Sequence, residues 1–134
     1  MDAAPPSSSE LDAHRDEGVR LFNEGHYWHA HEQWEICWLR SSRRDALFYK
    51  GIIQAAAALV HWQKGNLRGL RRNWEKARPK IVAMPPTLHG IDLASLVREM
   101  DRFVVAAGAA TPPRLVNGAD SDPGVAEERV AGGR

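Results

Sequence analysis

The residues with chemical potential fall into two short runs. His31, Glu32 and Glu35 lie within five positions, and Lys50, Gln54 and His61 lie within twelve. A His and a Glu four apart share one side of a helix. A carboxylate beside an imidazole can raise its basicity for proton abstraction, and two imidazoles with a carboxylate form a donor set for a first-row divalent ion that leaves a position for water. The candidate ligand-binding set is therefore His31, Glu32, Glu35, Lys50, Gln54 and His61, with His31, Glu35 and His61 as the candidate metal ligands. The plainer alternative makes His31 and Glu35 a satisfied core pair and the Lys50, Gln54, His61 line a solvent-facing edge.

Other chemistry finds less support. Glu35 occupies the place where a zinc-protease motif needs its second His. A di-metal bundle needs further carboxylates, and the run after Asp45 supplies none up to Lys64. No Gly-rich phosphate loop or nucleophile elbow is present. The single Cys37 allows no intramolecular disulfide and fits a reducing compartment, so a cytoplasmic protein is expected. The longest apolar run, Gly51 to Trp62, is interrupted by Gln54 and His61 and is too short for a membrane span. The first residues lack the basic and apolar regions of an export signal.

Helices must position these groups, and the spacing predicts five. The first runs over 9–24, opened by a capping box within Ser7, Ser8, Ser9 and Glu10 and stopped by Gly25. The second, 27–40, aligns Tyr27, His31, Trp34 and Trp38 on one stripe. Ser42 and Asp45 suggest a second capping box for a third helix over 43–64, apolar nearly all round. Asn66 caps a fourth helix carrying Leu67, Leu70, Trp74, Ala77 and Ile81, in which Pro79 predicts a kink or restart. Asp92 caps the fifth, with Leu93, Leu96, Met100 and Phe103. The pattern Gly25, Tyr27, Ala30, Trp34, Glu35 recurs forty residues later as Gly65, Leu67, Leu70, Trp74, Glu75. The fold class expected is all-α: a compact bundle of about five helices, two tetratricopeptide-like hairpins plus a closing helix.

All five Trp, both Tyr and all three Phe fall within residues 10–109, which predicts one domain there and disordered tails over 1–9 and 110–134. Charge is uneven. Residues 10–39 hold seven acids and two bases, and residues 40–80 hold eleven bases and two acids.

Residues Phe22 to Trp38, then Tyr49 to Asn66, together with Gly90 to Leu93, resemble a small bacterial and archaeal family, the domain of unknown function 309; the likeness covers about residues 11–105. The resemblance implies a compact all-helical fold and supplies no reaction. Its His-Glu-x-x-Glu element maps onto His31, Glu32 and Glu35, its Gly-Leu-Ile-Gln element onto Gly51 to Gln54, and its following His onto His61. Lys50 departs from the Gln more usual there.

Three functions are carried forward. The first is a polar pocket between the second and third helices, binding a small ligand or divalent metal. The second is an interaction or homodimer module exposing Trp28, Ile36 and Leu39. The third is nucleic-acid binding through Arg68, Arg71, Arg72 and Lys76, against which a solvated basic face is the expected reading.

Overall fold

The computed structural model describes residues 7–116, and the rest of both predicted tails, residues 1–6 and 117–134, lies outside the described residues. Five helices form: α1 (Ser8–Asn23), α2 (Tyr27–Leu39), α3 (Arg43–Gln63), α4 (Leu67–Val82) and α5 (Leu93–Val105). Each packs on the next in chain order. The all-α expectation is met, and none of the described helices is long and apolar enough to cross a membrane.

Local chemistry explains most of the boundaries. At the start of α1 the Ser7 hydroxyl accepts from the Glu10 N–H at 3.2 Å while Glu10 Oε1 accepts from the Ser7 N–H at 2.7 Å, satisfying two orphan donors reciprocally. Gly25 (φ 85°) and Gly65 (φ 77°) end α1 and α3 in the left-handed conformation that a side chain disfavours. Asn66 and Asp92 cap α4 and α5 by accepting from Gly69 N–H at 2.9 Å and Ser95 N–H at 3.0 Å.

The core collects the inward stripes: Phe22, Trp34, Phe48, Ile52, Leu59, Leu70, Ile81, Leu96, Met100 and Phe103 are sealed from solvent. Burying each large apolar side chain contributes about 1.5–3 kcal/mol before ordering entropy is counted. Gly18 lets α1 and α2 approach, because a Cβ there would collide with the Trp34 indole.

Four details differ from the sequence reading. Ser42 is the residue before α3 but makes no side-chain cap bond, and Asp45 instead bonds His89 Nε2 at 3.1 Å, so the second capping box does not form. The Arg43 backbone, at φ 54°, turns the chain out of the geometry such a box requires. Next, of the kink or restart expected at Pro79, the restart does not occur: α4 is one continuous helix with the proline in its last turn, where a lost ladder bond matters least. A two-residue hairpin also intervenes, β1 (Thr87–Leu88) against β2 (Ile91–Asp92), turned by His89 and Gly90 with φ 52° and 77°. Finally, residues 110–116 pack back on the helices. Pro113 and Leu115 are buried, the Asn23 side chain exchanges two bonds of 2.9 and 2.7 Å with the Leu115 backbone, and the Asp92 N–H donates to the Val116 carbonyl at 2.9 Å. Residues 110–116 therefore belong to the folded domain, because two apolar side chains and a backbone-reading asparagine suffice to hold a short strap.

Candidate functional site

Antiparallel packing of α2 and α3 brings part of the predicted set onto one outer face. Their register is marked where Lys50 Nζ lies 5.0 Å from the centroid of the Trp38 ring, a cation–π contact. Moving one turn up α3 from Lys50 reaches Gln54, and moving two turns back along α2 from Trp38 reaches His31. His31 is 19% exposed, and its Nε2 lies 3.5 Å from Glu35 Oε2, an ion-pair contact too long for a good hydrogen bond. The Trp28 indole stacks on the imidazole at 5.0 Å between centroids and 18° between planes. Glu32 turns outward to His29, 3.1 Å from its Nδ1.

Two polar atoms on this face are buried without a partner: His31 Nδ1 and Gln54 Oε1. Gln54 Oε1 is an acceptor awaiting a donor, and His31 Nδ1 accepts or donates according to the protonation of its ring.

His61 goes elsewhere. Its Nδ1 accepts from Asn66 Nδ2 at 3.1 Å, and its ring fills a slot on α4 left by Gly69, where a Cβ would come within 2.5 Å of the imidazole Cγ. There it borders a cleft of about 440 Å³ with Arg68, Arg72, Asn73 and Lys76. The three candidate metal ligands are therefore not brought together. Among the described residues no group of three or more His, Cys, Asp or Glu side chains could hold a metal ion. Helical spacing put His61 on the same angular line as Gln54, but the missing Cβ of Gly69 drew its ring toward α4.

A second polar cluster was missed altogether. Asp45 and His89 pair at 3.1 Å across 44 residues, and the His89 ring lies against Phe48 and Tyr49. The Tyr49 hydroxyl sits between the Arg15 guanidinium and the Cys37 thiol; burial pushes both the phenol and the thiol above their ordinary values. Cys37 Sγ donates to the Leu11 carbonyl at 3.3 Å, which leaves it a packed, inert thiol at neutral pH. Only the stacking of Ser42, Asp45 and Tyr49 along one helix hinted at the cluster, since nothing in the spacing connects them to Arg15 or His89.

With this geometry in view, residues 16–73 match the model of a family described as domain of unknown function (DUF309). Over that stretch the chain is similar to the DUF309 family. No curated protein matches it. The DUF309 match runs from within α1 to within α4, and so includes His31, Glu32, Glu35, Lys50, Gln54 and His61, whereas Gly90 to Leu93 and the hairpin lie beyond it.

Proposed function

We propose that this helical domain is a recognition module, that its working surface is the outer face of α2 and α3, and that the surface binds a second copy of the chain. The observation that carries this reading is the pair of buried, unpartnered polar atoms, His31 Nδ1 and Gln54 Oε1, together with a Trp28 indole that stacks on His31 and is 55% exposed. A buried polar group left unpaired costs about 1–3 kcal/mol, a cost that a partner's hydrogen-bonding groups would remove. Leu39, at 70% exposed, and Leu47 add apolar area on the same face. Aromatic anchors ringed by polar groups are the usual source of binding energy at an interface. The face also carries both signs of charge, Glu32 and Glu35 on α2 and Lys50 on α3. A two-fold interface lays a patch against its own copy, which a patch of one sign would resist and a mixed patch favours.

Sedimentation velocity up to about 100 µM tests this, since a weak micromolar dimer is assembled at that concentration. A concentration-dependent dimer is expected, weakened at least about tenfold by Trp28→Ala, the size of an ordinary aromatic hot spot. A strict monomer throughout would overturn it.

A second reading is favoured by the Trp28–His31 stack: a small hydrogen-bonding ligand inserted against the same two polar atoms. Native mass spectrometry of untagged protein would then show an adduct lost in His31→Ala and Gln54→Ala. The bare chain mass alone would dispose of this version.

A further inference from the structure

The cluster around His89 lies in a separate cleft of about 260 Å³, where α1, the α2–α3 link, α3 and the hairpin turn meet. Its walls carry Asp12, Arg15, Arg40, Asp45, Tyr49 and His89. Two observations about its construction stand apart from each other. His89 is held at φ 52°, a left-handed backbone that non-glycine residues rarely adopt, and that turn delivers its imidazole to Asp45 and Tyr49. The two-residue hairpin turn sets this backbone and so fixes where the ring is delivered. The cleft is also floored by the buried Tyr49, 4% exposed, and by the largely covered Arg15 side chain, 13% exposed.

A census of hydrogen-bonding groups then gives the ligand's character. Both carboxylates are engaged, Asp12 by Arg15 Nη1 at 2.9 Å and Asp45 by His89 at 3.1 Å. Donors remain in surplus. Arg15 Nε is buried without a hydrogen bond, its nearest carboxylate, Asp16, being 3.7 Å away. Arg40 has no ion-pair partner among the described residues, and the Ser42 hydroxyl caps nothing. With Asp45 taking the Nε2 proton of His89, its Nδ1 is left to meet a ligand hydroxyl.

We infer that this cleft binds a small molecule through an oxyanion, a carboxylate or phosphate group, held by Arg15 and Arg40 over the Tyr49 hydroxyl, with His89 forming part of the wall. Guanidinium groups suit this role because their planar forks match both oxyanions. The inference is independent of the recognition face on α2 and α3.

The test is an NMR titration of the isotope-labelled full chain with inorganic phosphate and, separately, acetate at constant ionic strength. Saturable shifts centred on the His89 ring and the Arg40 amide are expected, with the affinity reduced about tenfold or more in Arg40→Gln, as loss of a charge-assisted contact should do. Arg71→Gln, on the exposed side of α4, serves as the control and should change nothing. Arg15→Gln should also weaken binding; should it fail to fold, Arg40→Gln still decides. Saturation by phosphate alone points to a phosphorylated ligand, and by acetate alone to a carboxylic acid. Absence of saturation with either anion, an unchanged affinity in Arg40→Gln, or shifts confined to Arg68 and Arg72 would overturn the inference.

Discussion

In the first hairpin Trp34 lies sealed over Gly18, and its indole N–H donates to the Arg15 carbonyl of α1 at 3.1 Å. Its counterpart in the second hairpin, Trp74, is equally buried, but its N–H reaches out to α5 and donates to Asp101 Oδ1 at 2.8 Å, where Arg78 also grips the carboxylate. The same tryptophan thus locks one hairpin internally and fastens the other to the closing helix. The repeat fixes where an aromatic side chain goes, and the neighbours fix what it holds. This difference leaves α2 with an outer face that no further helix covers, the face proposed for recognition.

The comparison can be broken most forcefully at the two tryptophans. Trp34→Ala should cost about 3–5 kcal/mol, and Trp74→Ala should fall at the lower end of that range, because its cavity opens toward the half-exposed Asp101. Urea unfolding of the two variants checks the order, and equal losses would remove the distinction. Next come the glycines that admit neighbouring rings. Gly18→Ala forces a methyl into the rigid Trp34 indole and should destabilise by about 1–3 kcal/mol. Gly69→Ala meets the part-exposed His61 ring and the Asn66 amide, side chains that can swing away, and the roughly 1 kcal/mol gain in helix propensity offsets the disturbed cap, so its net cost should fall below that of Gly18→Ala.

Smaller effects come from the caps. The second helix of the first hairpin starts at His26, which makes no cap bond, whereas its equivalent Asn66 accepts from Gly69 N–H. Asn66→Ala should lose about 1 kcal/mol and His26→Asn should gain about 0.5–1 kcal/mol, read from thermal midpoints. The smallest effect is set by pH. Arg78, and secondarily Trp74, hold the Asp101 carboxyl below the usual range. A depressed carboxylate stabilises the fold above its unfolded value of about 3.9, and that contribution disappears as pH falls through the held-down value. Asp101→Asn should therefore flatten part of the acid-induced loss of stability reported by urea unfolding at a series of pH values, a modest change because the pair is open to solvent.

Most of the fold was legible because its signals are local. Ser7, Gly25, Gly65, Asn66 and Asp92 each act within three or four residues of themselves, and the tryptophan repeat is visible in the sequence. Half of the candidate site was legible for the same reason: His31 and Glu35 are one turn apart on a single helix, and Gln54 follows from the packing of neighbours. What escaped depends on contacts between distant positions. Asp45 was assigned to Ser42, three residues away, but pairs with His89 across 44. His61 was assigned to the α2 side by its angle, yet a missing Cβ on α4 decided its direction. The hairpin escaped because strands of two residues each have no period to read.

The strap formed by residues 110–116 bears on how the molecule is made. Asn23, at the end of α1, finds its backbone partners only at Leu115, 92 positions downstream. During synthesis, when chains emerge from the N-terminus, the first helix therefore waits for a segment made some ninety residues later before its own terminus is fastened. Closing so long a loop is slow but adds little entropic cost over a shorter one, so a ribosome-bound chain lacking that segment should hold its opening helix more loosely than the released protein does.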